Sequence, residues 1–211
     1  MKILWFSNTP ANAFAKNKSK GTGSWLVPLN EALQDQVELH VAFPYPYKIE
    51  DFFNEKTSYH PIYTGNLVLS KLQNKFLNRV YDDEYLPRYL EIINLIKPDI
   101  IHIHGSEMPF ACLIPHVKVP VVLSVQGNIT VYYNKFMSGL GDKYIHISKF
   151  TLNPLDIAFS TNFYHNYKQR EKKSEIELKQ LRNVQYVIGR TDWDRRITSV
   201  MAPKSKYYIG Q

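Results

Sequence analysis

Short apolar runs alternate along this chain with stretches of helical period. Runs rich in Ile, Val and Leu and bounded by turn-forming residues occupy positions 3–7, 37–43, 99–104, 119–125 and 184–188. Their length and the near absence of polar alternation predict strands buried on both faces, as in a parallel sheet. Between them, residues 24–33 and 84–96 follow a helical period. In the second of these, Leu86, Tyr89, Leu90, Ile93 and Ile96 share one face, and Lys97-Pro98 stops the helix. Strand and helix alternate up to about Val125, the pattern of an open α/β sheet with right-handed crossovers. The expected architecture is one doubly wound parallel sheet.

Two stretches are less regular. Residues 44–66 are dense in Pro and Tyr, and residues 129–166 mix aromatic and polar side chains without a clean period. Both read as loops or short helices near a binding surface. Residues 167–182 are strong helix formers with six basic and three acidic side chains, and predict a basic helix exposed to solvent. That face offers either contact with an anionic membrane or a simple solvated surface. No internal repeat, flexible linker or low-complexity tract marks a second domain, so residues 1–211 are read as one domain.

The apolar stretch of residues 3–6 is too short for a secretory leader, which needs roughly 7–15 such residues. No run approaches the roughly 20 apolar residues that span a bilayer. With 26 Lys plus Arg against 19 Asp plus Glu the net charge is +7. Polyanions, phosphorylated ligands and anionic membrane surfaces all fit that charge. The single cysteine, Cys112, excludes an internal disulfide framework and a multi-cysteine metal site, and points to a cytoplasmic setting.

Ligands of open parallel sheets bind outside the carboxyl ends of the strands, so the strand exits are where chemistry is sought. After the first strand comes a long loop and then Gly21-Thr22-Gly23-Ser24, opening a helix. Its glycines and free N–H groups suit a phosphate or a sugar hydroxyl; an ordinary loop capped by Ser24 explains the same residues. A dinucleotide fingerprint does not fit, because 13 residues separate the strand from this loop and the third glycine is missing. At the end of the third run stand His102, His104, Gly105, Ser106 and Glu107. Alternation puts the two imidazoles on one face, with His104 nearer the ligand edge as a hydroxyl partner or general base and His102 as a hydrogen-bonded core residue. No third ligand has metal-binding spacing, so no metal is expected. The next run exits through Gln126-Gly127-Asn128, whose amides either read hydroxyls or merely finish a strand. The run at 184–188, taken as the last strand, leads into Gly189-Arg190-Thr191-Asp192, where Thr191 or Asp192 caps a helix. Arg190 there either clamps a phosphate or pairs with Asp194 one turn on.

Taken in order, MKILWFSNTP, the GTGSW loop, KPDIIHIHG, VPVVLSVQG, VIGRTDWDRR and the terminal APKSKYYIG resemble the N-terminal, acceptor-side domain of a GT-B glycosyltransferase of the large retaining family 4. The resemblance covers nearly the whole chain. It implies a single Rossmann-like sheet, the N-terminal half of a GT-B architecture, with a second Rossmann-like domain beyond these residues holding most of the nucleotide-sugar donor. Many relatives carry histidine where Gln126 stands, and this chain resembles a Gln-Gly subgroup. By that resemblance, His104 and Gln126 are the candidate catalytic residues. Gly21, Thr22, Gly23, Gly105, Glu107, Gly127, Asn128 and Arg190 are the candidates for substrate and donor-phosphate binding. No cofactor is implied besides the nucleotide-sugar substrate, and the implied partner is a glycan or lipid-linked glycan at the inner face of a membrane. Residues 1–211 alone are expected to fold without transferring sugar.

A non-catalytic flavodoxin-like or nucleic-acid-binding module competes with this reading, prompted by the +7 charge and 15 tyrosines. It lacks a base-stacking motif or a zinc knuckle, so no nucleic-acid partner is expected. A nucleotide-sugar epimerase or dehydrogenase is disfavoured by the missing fingerprint.

Overall fold

The computed structural model describes residues 1–14, 25–65, 83–139 and 163–210. Among these, eight strands form one sheet: β1 (Lys2–Ser7), β2 (Glu38–Tyr45), β3 (Phe52–Asn54), β4 (Thr57–Tyr63), β5 (Ile100–His104), β6 (Val121–Ser124), β7 (Tyr186–Gly189) and β8 (Lys206–Ile209). The spatial order is β3-β4-β2-β1-β5-β6-β7-β8. Every adjacent pair is parallel except β3 with β4. Among the described residues five helices accompany it: α1 (Leu26–Leu33), α2 (Leu86–Ile96), α3 (Ile129–Lys135), α4 (Phe163–Leu181) and α5 (Asp192–Met201), with a 3₁₀ segment at Pro109–His116. This is the Rossmann-like, mostly parallel α/β sheet that the alternating pattern predicts.

The strand period assigns the two faces. Leu4, Phe6, Ile101, Ile103, Leu123 and Val187 point to one side, where α2, the 3₁₀ segment and the ends of α4 and α5 cover them. Trp5, Leu39, Val41, Phe43 and Tyr59 point to the other, against Leu26 of α1. Asn30, the buried polar residue of α1, fixes that helix over the sheet by donating through Nδ2 to Thr57 Oγ1 at 3.2 Å. Helix α2 begins at Leu86-Pro87, where a missing N–H costs nothing. It ends at Lys97, whose left-handed φ of 53° stops the helix just before Pro98.

Three expectations are corrected. Within 44–66, the described residues 44–65 are not loops or short helices throughout, because they contain the hairpin β3–β4 turning at Glu55, φ 55°. Pro61 obscured it. It pairs with Phe43 of β2 but lies beyond the residues that β3 reaches, the edge setting in which a strand tolerates a residue without an N–H. The run at 184–188 is not the last strand, since β8 follows; its sequence KYYI is short and mostly solvent-facing and carries little apolar signal. The basic helix of residues 167–182 is not simply exposed. Within α4, Ser174, Glu177, Gln180 and Leu181 are buried, while Arg170, Lys172, Lys173 and Glu175 face solvent.

The chain runs outward from β1 through β2 to β4, then returns to the other side of β1 as β5 and continues to β8. The strand order therefore reverses between β1 and β5. In doubly wound sheets that reversal opens a crevice at the carboxyl ends of the two strands.

Gly189, which delivers the chain to Arg190, is tightly enclosed. A Cβ there would run into the Tyr207 hydroxyl and come within 2.7 Å of the Asp194 Cβ. Both neighbours are anchored, Tyr207 by donating to the Thr191 carbonyl at 3.1 Å and Asp194 by its cap on α5. Overpacking of this kind costs about 1–3 kcal/mol. Gly189→Ala is expected to lower the melting temperature by roughly 2–4 °C for each kcal/mol, read by thermal denaturation. An unchanged melting temperature would mean that Tyr207 swings aside freely.

Candidate functional site

The reversal point places Ser7 of β1 opposite His104 of β5. The His104 ring lies 4.6 Å from the Trp5 ring, 5.3 Å from Trp25 and 3.9 Å from His102, centroid to centroid. It is 1% exposed, and neither ring nitrogen has a hydrogen-bond partner. Burial, and secondarily the neighbouring His102, hold its protonation well below the ordinary imidazole value. At neutral pH His104 therefore presents one N–H and one lone pair, both unmet. A buried polar group left so carries a cost of about 1–3 kcal/mol that a hydroxyl-bearing ligand would relieve. A ligand reaches the ring only if its covering moves, and the partly exposed Trp25 is one part of that covering.

His102 is the hydrogen-bonded residue expected from the sequence. Its Nε2 lies 2.6 Å from Ser124 Oγ, and burial pushes its pKa down to about 4.

The exits of β5 and β6 meet next to it. Gly105, at φ +89°, donates its N–H to the Ser124 carbonyl at 2.9 Å, which extends the ladder past the strand ends. The Glu107 carboxylate occupies the space where a Cβ on Gly105 or Gly127 would stand, and the Gln126 side chain borders the same space. Only glycine's bare backbone leaves room for that carboxylate. Burial raises the pKa of Glu107 and the nearby Glu177 adds to the rise, while the backbone N–H groups of Glu107 and Gly127 oppose it. Glu107 Oε2 has no partner. The structure thus brings together Gly105, Glu107, Gln126 and Gly127 beside His104.

Asn128 is used differently. Its Oδ1 caps α3 by accepting from the Val131 N–H at 3.0 Å, and its Nδ2 lies 3.0 Å from Met201 Sδ. Glu177, which sequence reasoning missed, accepts four hydrogen bonds from within the rim. The donors are Ser106 Oγ, the N–H of Ile129 at 3.1 Å, the N–H of Thr130 at 2.7 Å and Thr130 Oγ1 at 2.6 Å. The N–H groups that open α3 are therefore already satisfied by the protein's own carboxylate. Nothing local in the sequence distinguishes Glu177 from its neighbours on α4, because its partners lie 47 to 71 residues away.

Two strands along from β5, β7 carries Arg190 to the same rim; the Val125 N–H donates to the Ile188 carbonyl at 2.8 Å and holds the two exits side by side. Asp194 does not pair with the Arg190 guanidinium. Its Oδ2 accepts the backbone N–H of Arg190 at 2.9 Å and that of Thr191 at 3.0 Å, while Thr191 Oγ1 accepts the Asp194 N–H, a reciprocal cap on α5. The Arg190 side chain is exposed and makes no hydrogen bond or ion pair among the described residues. Gly21, Thr22 and Gly23 lie outside the described residues, as does Ser24. Among the described residues no group of three or more His, Cys, Asp and Glu side chains is arranged to hold a metal ion, and no helix is long and apolar enough to cross a membrane.

No family model and no curated protein matches the chain. Among solved structures it is similar to UGT73P12 of Glycyrrhiza uralensis, solved in complex with glycyrrhetinic acid 3-O-monoglucuronide, with a TM-score of 0.49 and 7% identity over 99% of this chain and 48% of that one. The chain thus spans about half the length of that protein.

Two outcomes follow from the site's electrostatics. His102 has a folded pKa of about 4 against an ordinary 6.5, so the unfolded chain binds the proton more readily between those values. The stability from keeping this ring neutral is present above pH 6.5 and drains away as the pH falls toward 4, a loss on the order of 3 kcal/mol. Denaturation of the wild type and His102→Gln across that window should give a flatter curve for the variant; parallel curves would clear His102 of the effect. Glu177→Ala strands the Ile129 and Thr130 N–H groups and leaves Ser106 Oγ and Thr130 Oγ1 only the longer bonds to the Gly127 and Ser174 carbonyls, so a loss of at least ~2 kcal/mol is expected in urea melts. Glu175→Ala, on the exposed face of the same helix, should stay within about 0.5 kcal/mol.

Proposed function

We propose that this chain is the acceptor-binding half of a retaining glycosyltransferase of GT-B architecture, which transfers sugar from a nucleotide-sugar donor to a glycan or lipid-linked glycan. The observation that carries this reading is the position of His104. A neutral imidazole with both nitrogens unmet stands at the point where strand order reverses, beside Gln126 and the Glu107 carboxyl group packed against Gly105. Such a rim suits hydroxyl-rich ligands. Neutral donors and acceptors orient sugars without holding a charge that would have to be desolvated at each turnover.

In this reading His104 and Gln126 orient the acceptor and the transferring sugar. Arg190, exposed and without an ion-pair partner among the described residues, stabilises the negative charge that grows on the departing diphosphate. The order of the sequence motifs, from the GTGSW loop to VIGRTDWDRR, supports the same assignment. The donor's nucleotide would be held mainly by a second α/β domain.

Arg190→Ala in the full encoded protein tests it. One donor to a transition-state charge is worth roughly 2.7–4 kcal/mol, so sugar transfer per folded molecule should fall about a hundredfold or more. The melting temperature should stay within experimental error, because Asp194 holds the Arg190 backbone and not its guanidinium. A lowered melting temperature with unchanged turnover would make Arg190 a structural residue and remove it from the site.

A further inference from the structure

We propose that His40 and His60 hold one proton between them, closing a line of alternating charge that fastens α2 to the sheet on the face away from Trp5. The pair stands apart from the rim. His40 and Ala42 project from β2, and His60 and Ile62 from β4, onto the layer that α2 covers. Both rings are buried, at 9% and 6% exposure, and their planes lie within 22° of each other with centroids 5.2 Å apart.

Counting hydrogens requires the third one. His40 Nε2 faces Glu38 Oε1 at 3.1 Å, and His60 Nδ1 faces Asp51 Oδ2 at 2.7 Å. A carboxylate only accepts, so both of these nitrogens carry hydrogen. Two neutral rings would then leave His40 Nδ1 and His60 Nε2 as bare lone pairs facing each other at 3.0 Å. One further proton turns that repulsion into a hydrogen bond.

The surroundings supply the matching charge. Lys2 of β1 pairs with Glu38 at 3.1 Å and also donates to the Ile96 carbonyl at the end of α2. Arg88 of α2 bridges Asp51 at 3.2 Å and Glu91 at 3.0 Å. Among the described residues the sequence of charges is therefore Lys2 positive, Glu38 negative, the pair, Asp51 negative and Arg88 positive, with Glu91 beyond. Two cations face three carboxylates in this set, and the shared proton balances them.

The proton has one place to sit. It lies between His40 Nδ1 and His60 Nε2, and whichever ring carries it donates to the other. A second proton would set N–H against N–H at the centre. Loss of the first leaves two hydrogens for three links, and the buried contact between the rings retains one of them. The link that opens as the pH rises is then Glu38 to His40, because Glu38 is exposed and keeps Lys2 as a partner. The inner link from His60 through Asp51 to Arg88 persists.

The count is directly measurable. In ¹⁵N-histidine-labelled chain, with the two rings assigned from His40→Gln and His60→Gln, imidazole NMR across roughly pH 5 to 9 reports how many of the four nitrogens carry hydrogen. The expected result is three in an intermediate range, falling to two at higher pH with the loss at His40 Nε2. The proposal also requires the titration of His40 to move when His60 is replaced. A count of two at every pH at which the chain is folded overturns the proposal. So does a His40 titration that is identical in the wild type and in His60→Gln.

Discussion

A carboxylate taken out of water must be met by donors, and Glu177 meets that demand with groups from three parts of the chain. Ser106 belongs to the segment after β5, Ile129 and Thr130 open α3, and Glu177 itself comes from the middle of α4. One buried charge therefore sets the distance between the β5 exit and the helices behind it. Glu107 depends on this arrangement, since its elevated pKa arises partly from Glu177. So does the path of Gln126 and Gly127, whose continuation into α3 is pinned by the same oxygens.

Sequence patterning reached the parts of the structure governed by burial along the chain. β1, β2, β5, β6 and β7 are continuous apolar runs because parallel strands are covered on both faces, and each was recoverable to within a few residues. β4 was hidden by Pro61 and by its polar and aromatic composition, and β8 by its exposure. The strand exits at His104, Gln126 and Arg190 followed from the strands themselves. The features that depend on contacts distant in sequence did not: Glu177 is 71 residues from Ser106, and His40 is 20 from His60. Spacing rules describe neighbours on one element, whereas these groups meet only once the sheet order is fixed.

The two polar clusters answer to different demands. At the rim the polar groups of His104 and Glu107 are left incomplete inside a packed environment. On the α2 side the polar groups of His40 and His60 are all engaged, in a line that runs from Lys2 to Arg88. An unsatisfied cluster opposes stability and a satisfied one supports it, so the sheet carries its strain where strands exit and its fastening where helix meets strand.

Gly105 and Gly127 bear on how this rim can vary. Each leaves a hollow that Glu107, not solvent, fills, and a Cβ at Gly127 would stand 2.7 Å from Glu107 Oε1. A side chain introduced at either position does not add a group to the surface; it evicts one that is already there. For a library meant to change what the rim accepts, positions 105, 107 and 127 are thus a single variable, to be altered together or left alone. Arg190, exposed to solvent, varies independently of those three.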